Sequence, residues 1–182
     1  MFMLLLGGNE VTKVLLSVHV LAAILAVGSI TVAASMFPRY ALRTSAGQDP
    51  DGRAAGIAAL LHRICRGYAV AGLAVPVFGI ATGAALGVLT DTWLLASLAL
   101  TVIAAALLAL AVLPGQRRLL AFSQDRAAQD RAGQDREAQD PAALEAQRSA
   151  ATRLTMLTGI FNVLWAIVVI LMIVRPGSTT GA

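Results

Sequence analysis

The side chain with the clearest chemical potential is His19, the one ionisable group deep inside a long apolar segment. At 1.5 Å per residue from Val11, where this segment begins, His19 lies about 12 Å below one surface of a membrane that the segment would cross. The same counting from the ends of three other apolar segments brings a few further polar or aromatic side chains to this layer: Thr82, Thr101, Trp165 and, slightly deeper, Asn162. A neutral imidazole there can hydrogen-bond to a neighbouring helix or ligate a metal or haem iron. Both alternatives stay open.

Other catalytic or metal-ligating patterns are scarce. No Asp, Glu, Lys or Arg lies deep in an apolar segment, which disfavours a proton pump or a cation transporter. His62 and Cys65 are too few to make a metal site. The sequence therefore predicts no catalytic residues and no metal site, and it leans against an enzyme.

The residues around His62 predict an amphipathic helix at a membrane surface. In this helix, polar positions alternate with an apolar stripe formed by Ile57, Leu60, Leu61 and Ile64. His62 is predicted on the polar face.

Composition identifies the elements that must position these side chains. Hydrophobic residues make up 58% of the 182 and charged residues only 13%, whereas soluble domains carry about 25% charge. A bilayer core about 30 Å thick needs about 20 apolar residues per helix, and four segments qualify: 11–37, 68–89, 93–113 and 155–174. The prediction is an all-α, polytopic membrane protein, with residues 1–182 forming one four-helix transmembrane bundle.

Prolines mark the expected limits of these helices. Pro38 and Pro114 stand just past the first and third segments, where proline is predicted to end each helix. Pro76 lies inside the second segment and is predicted to kink it.

The positive charges predict the orientation. All of the 14 basic residues except Lys13 and Arg175 lie in loops 38–67 and 114–154. By the positive-inside rule both loops are cytoplasmic and both termini lie outside. These arginines flank spans with no interleaved aromatic residues, so we expect lipid contacts and no nucleic-acid binding.

Two features of the loops stand out. A break is predicted near Ser45–Gly52, and a Gln-Asp-Arg triplet recurs every five residues from Gln124, ending at Gln139-Asp140-Pro141. The repeat is interpreted as a solvated linker or a helical extension that Pro141 stops, with a docking segment for a partner as the alternative.

Small residues predict close helix packing. Gly79, Gly83 and Gly87 are four residues apart and would share one face of the second helix, which lets another backbone approach. Such packing indicates association with a second copy or with another membrane protein.

The stretch His19-Val20-Leu21-Ala22-Ala23-Ile24-Leu25-Ala26-Val27-Gly28 resembles the first helix of a group of small bacterial membrane proteins. The group includes an uncharacterised family (domain of unknown function 2269), CopD-like copper-resistance proteins and HemJ-like protoporphyrinogen oxidases. Ala26 stands at the motif's tryptophan position, and the lysine of the HemJ-like branch has no counterpart, so the resemblance favours the uncharacterised family. It implies four spans in a bacterial cytoplasmic membrane and, through the HemJ-like branch, a haem contact at His19.

Three functions follow as expectations. The first is a non-enzymatic helix-packing subunit of a membrane complex, since packing signals outnumber reactive groups. The second is a haem-binding redox protein with His19 as axial ligand, in which Thr82, Thr101, Asn162 and Trp165 line the site. The third is a transporter of a small molecule or lipid.

Overall fold

The computed structural model describes residues 8–45, 49, 51–131 and 141–176. These residues form six α-helices and one short π-helical segment, and no strand occurs among them. The helices are α1 (Gly8–Ser45), α2 (Arg53–Ala71), α3 (Ala74–Leu86), α4 (Thr92–Leu107), α5 (Leu113–Arg131) and α6 (Pro141–Val174), with the π-helix at Leu108–Val112 between α4 and α5.

The elements join into four long rods: α1, α2 with α3, α4 through α5, and α6. Each rod is long and apolar enough to cross a membrane, which confirms the predicted all-α, four-span class. Each rod also presents large apolar side chains to its surroundings, as at Leu21, Val77, Leu110 and Ile173. An outward apolar surface of this kind suits contact with lipid chains.

The rods are longer than the predicted spans. Three of the membrane-capable stretches have 34 residues and the first has 35, a length of about 50 Å at 1.5 Å per residue. The predicted loops 38–67 and 114–154 are therefore helical over most of their described residues. The break near Ser45–Gly52 is confirmed, because α1 ends at Ser45 and α2 begins at Arg53.

The repeat falls partly outside the described residues. Its first two triplets, 124–126 and 129–131, belong to α5, so the predicted helical extension is confirmed that far. The remaining repeats lie outside the described residues. Pro141 begins α6, a position where the missing N–H costs no helical hydrogen bond.

Pro38 does not end the first helix, and that prediction is wrong. The helix continues to Ser45 because the side chains on both sides of the proline, Phe37 and Ala41, are fully buried against the neighbouring rods. Pro114 likewise lies inside a continuous rod. The π-helical segment precedes it, with the Leu113 N–H bonding the Leu108 carbonyl, and such a widened turn accommodates a residue that cannot donate.

The segment predicted to kink at Pro76 contains a break between α2 and α3, just ahead of the proline. Proline lacks the N–H that would bond the Gly72 carbonyl, and the Val75 N–H bonds that carbonyl instead at 3.0 Å. The helix is interrupted at residues 72–73.

The bundle has two different halves. We call the end that carries residues 87–91 the turn end and the opposite end, where α1 ends and α2 begins, the loop end. The apolar core belongs to the half nearer the loop end, where it includes α1 from Ile30 onward, α4 at Ala104 and α6 up to Phe161. We call the other half, nearer the turn end, the hollow half. It lies beyond the apolar core.

Candidate functional site

His19 lies on α1 in the hollow half, and its side chain is only 7% exposed. Its Nδ1 is 2.8 Å from the carbonyl oxygen of Val75 on α3. A carbonyl can only accept a hydrogen bond, so Nδ1 carries the proton and Nε2 keeps its lone pair. No described residue hydrogen-bonds Nε2, which leaves this atom able to accept a hydrogen bond or to ligate.

The imidazole ring rests on Gly79. A Cβ built at this glycine would lie 2.9 Å from Cε1 of His19 and 3.1 Å from Nδ1. The close approach of α1 to α3 thus requires a residue without a side chain at position 79. This is the packing role predicted for Gly79.

The other two glycines of the predicted face differ. A Cβ at Gly83 would meet the side chains of Leu94 and Leu89 at 3.0 and 3.2 Å, so Gly83 also packs closely. The prediction is wrong for Gly87, which follows the end of α3 with φ +69 and has nothing near its absent Cβ. Gly87 adopts the left-handed conformation that ends the helix, for which glycine is favoured.

A cavity of about 430 Å³ occupies the hollow half between α1, α3, α4 and α6. His19, Thr82, Thr101 and Trp165 all line it. The remaining wall is almost wholly apolar and comes from the following residues among others: Leu16, Ala23, Val75, Leu94, Leu98 and Val168. Four of the five predicted layer residues therefore surround one cavity.

Asn162 is the exception among the five. It is not part of the cavity wall, and its Oδ1 accepts a hydrogen bond of 3.0 Å from the Thr31 hydroxyl on α1. Asn162 thus joins α1 to α6, and its predicted lining role is wrong. Because α6 faces α1 at this level, the amide turns towards that helix.

The polar groups of the cavity wall differ in whether they already have a hydrogen-bond partner. The hydroxyls of Thr82 and Thr101 donate to carbonyls one turn back in their own helices, Phe78 at 2.7 Å and Ser97 at 2.8 Å. The indole Nε1 of Trp165 is buried and has no hydrogen-bond partner. A buried N–H without a partner is costly, and Nε2 of His19 is an acceptor that no described residue uses.

The turn end of the cavity is bordered by Arg175 and Trp93. The guanidinium lies 5.6 Å from the centre of the Trp93 ring, and the indole N–H of Trp93 donates to Asp91 at 3.0 Å. Arg175 has φ +45, the one positive φ among the described non-glycine residues.

A second buried polar cluster lies between α2 and α5. The sequence pattern did not predict it. His62 donates through Nδ1 to Oε1 of Gln116 at 2.9 Å, and the Gln116 amide donates to Sγ of Cys65 at 3.6 Å. Gln116 and Cys65 are fully buried. The described residues contain no group of three or more His, Cys, Asp or Glu side chains that could hold a metal ion.

The amphipathic face predicted for α2 is therefore only partly correct. Leu61 is buried and Ile64 packs against the core, but Leu60 is 54% exposed, and His62, predicted on the polar face, is turned inward with Ala58 and Cys65. In a membrane-embedded rod the largest apolar side chains can face lipid, and the face of small and polar residues packs inside. The face of α2 that carries small residues, and not its apolar stripe, indicates where this cluster lies.

The start of α2 is held by Asp49, whose carboxylate accepts the N–H groups of Ala54 and Ala55, each at 2.9 Å. The Ala54 hydrogen bond is the main cause that lowers the pKa of Asp49.

No protein family, curated protein or solved structure matches this chain. The geometry of the described residues therefore provides the argument for function.

Proposed function

We propose that this protein is a non-enzymatic membrane protein that binds a small apolar molecule in its hollow half. The observation that carries the proposal is the cavity of about 430 Å³ among four transmembrane rods. Small-molecule pockets occupy about 300–1,000 Å³ and combine an apolar wall with a few polar groups. The hollow half has both properties.

The unused polar atoms restrict the ligand. Nε2 of His19 is left able to accept a hydrogen bond from a bound molecule. The threonine hydroxyls already bond their own helices. The ligand is thus mainly apolar.

The route of entry is from the lipid. Large apolar side chains at the edge of the cavity are well exposed, including Ile24 on α1, Ile80 on α3 and Leu95 on α4. With the arginine-rich loop end in the cytoplasm, both termini and the turn end lie outside. The cavity then opens to the outer leaflet of a bacterial cytoplasmic membrane.

Photolabelling in lipid nanodiscs tests this function. The probe is a neutral long-chain alcohol that carries a diazirine, and the labelled peptides are mapped by mass spectrometry. We expect saturable labelling of α1 near His19 and of α6 near Trp165, with unlabelled alcohol competing.

Paired variants separate the cavity from the lipid-facing surface. Ala23→Phe fills the cavity and should remove the saturable labelling, whereas Ala99→Phe adds the same ring at an exposed position outside the cavity wall and should leave it intact. Labelling that rises linearly with probe concentration and is equal in both variants contradicts the proposal.

Haem binding is a second candidate, and the hydrogen bond between His19 and the Val75 carbonyl is the observation that favours it. A ligating histidine usually donates its other N–H to a carbonyl or carboxylate, as His19 does to Val75. Haem would supply redox or small-ligand chemistry at its iron, while His19 would hold and orient it. Met172 is the other soft ligand on the wall, but it stands seven residues beyond Trp165 on α6, about 10 Å further towards the turn end.

The visible spectrum of gently purified protein tests this candidate. A Soret band should be present, should vanish in His19→Ala, and should persist in His62→Ala, which changes the other buried histidine. A colourless wild-type protein after expression with added haem contradicts it.

The role of a packing subunit, alone or with a second copy, stays a prediction. Native mass spectrometry from nanodiscs measures it directly, since a partner adds its mass to 18.8 kDa.

A further inference from the structure

The mouth of the cavity holds a cation, Arg175. Among the described residues Arg175 forms no ion pair; its guanidinium lies over the Trp93 ring, and its Nε donates to the Met172 carbonyl at 3.4 Å. It is also the only formally charged residue of the cavity wall.

Arg175 lines the cavity just after the end of α6. An arginine at the end of a transmembrane helix ordinarily extends outward to the headgroups. Here Arg175 has a φ of +45 just after α6, and its N–H still bonds the Leu171 carbonyl at 3.0 Å. A non-glycine residue in this region is strained by about 1–2 kcal/mol, so the conformation needs support, and the stacking on Trp93 is one source of it.

Trp93 is itself fixed at the mouth. Its ring is buried, and its indole N–H is held by the Asp91 carboxylate at the start of α4. The cation is therefore positioned by elements from two rods, α4 and α6, at the point where the apolar cavity reaches the turn end.

We infer that the ligand of the hollow half is a single-chain amphiphile with a carboxylate, whose headgroup is bound by Arg175 and whose chain enters the apolar cavity. This inference rests on the proposed function and names its ligand class. From Arg175 to Trp165 along α6 is ten residues, or about 15 Å, which a long alkyl chain spans. A volume of about 430 Å³ is near the lower limit for ligand pockets and suits one chain better than the two of a phospholipid.

The test compares two photoreactive probes with the same chain, a carboxylic acid and the alcohol, in phosphatidylcholine nanodiscs at neutral pH. The carboxylate should bind about tenfold more tightly, the lower limit for a hydrogen bond to a charged group at an exposed site. Arg175→Gln should remove this preference. Arg148→Gln, which changes an exposed arginine near the other end of α6, should preserve it.

The outcomes separate the two proposals. If the alcohol labels the cavity but the carboxylate binds no better, or if Arg175→Gln keeps the preference, the inference is overturned and the proposed function stands. If neither probe gives saturable labelling of the cavity, both are overturned. If phosphatidylglycerol in the nanodisc displaces the carboxylate probe, the anion is a phospholipid headgroup and the single-chain assignment is wrong.

Discussion

Replacing Gly79 by alanine tests the contact on which the site is built. The added Cβ would lie 2.9 Å from Cε1 of His19 and 3.1 Å from Nδ1, closer than ordinary van der Waals contact. Either α1 and α3 move apart or the imidazole rotates away and gives up its 2.8 Å hydrogen bond to Val75. Both responses destabilise the bundle.

The magnitude follows from the competing terms. Overpacking costs about 1–3 kcal/mol, and a lost interhelical hydrogen bond costs about 0.6 kcal/mol on average in a membrane. Alanine in place of glycine gains about 1 kcal/mol of helix propensity. Gly28→Ala receives the same propensity gain, because a Cβ at Gly28 meets nothing within 4 Å. We therefore expect Gly79→Ala to be less stable than Gly28→Ala by about 1–3 kcal/mol.

The assay is unfolding by sodium dodecyl sulfate in mixed micelles, followed by far-ultraviolet circular dichroism, to obtain the free energy of unfolding. Both glycine variants are repeated in a His19→Ala background, where the ring that clashes is absent. There the gap between them should close to within about 0.5 kcal/mol. The proposed packing of His19 on Gly79 is refuted if the two single variants are equally stable. It is also refuted if their difference in unfolding free energy is unchanged in the His19→Ala background.

Three further predictions concern stability away from the cavity. Thr31→Val removes the hydroxyl that bonds α6 and should lower the free energy of unfolding by about 0.6 kcal/mol. Gln116→Ala leaves His62 without its acceptor and should cost about 1–3 kcal/mol, a penalty that a second change of His62 to alanine should reduce in a double-mutant cycle. The hydrogen bond from Ala54 lowers the folded-state pKa of Asp49, so its stabilisation of α2 is complete above the ordinary carboxyl pKa and disappears as the pH falls through the lowered value. The stability difference between wild type and Asp49→Ala should therefore shrink in acid, and a difference independent of pH between neutral and strongly acidic solution contradicts this mechanism.

Much of the site could be predicted because depth in a membrane is a local property of the sequence. A helix rises by a constant 1.5 Å per residue, so counting from the ends of the apolar segments brought His19, Thr82, Thr101 and Trp165 to one level. All four line the cavity. The four-span, all-α class follows in the same way, from segment length and hydropathy.

The rotation of each helix about its axis depends on contacts with distant residues. Two predictions that required this rotation were wrong. Asn162 lies near the correct depth but turns to Thr31. His62 turns inward to Gln116, because in a membrane an apolar stripe does not identify the buried face.

Tertiary structure alone decided where helices continue and where space remains. Burial of Phe37 and Ala41 carries α1 through a proline that local rules would treat as an end. The core cluster fills the half of the bundle nearer the loop end, and the other half keeps a cavity with Arg175 at its mouth. The sequence determined the class and the depth of His19, whereas the packing of four rods determined what surrounds it, because contacts between distant residues depend on how each helix is turned.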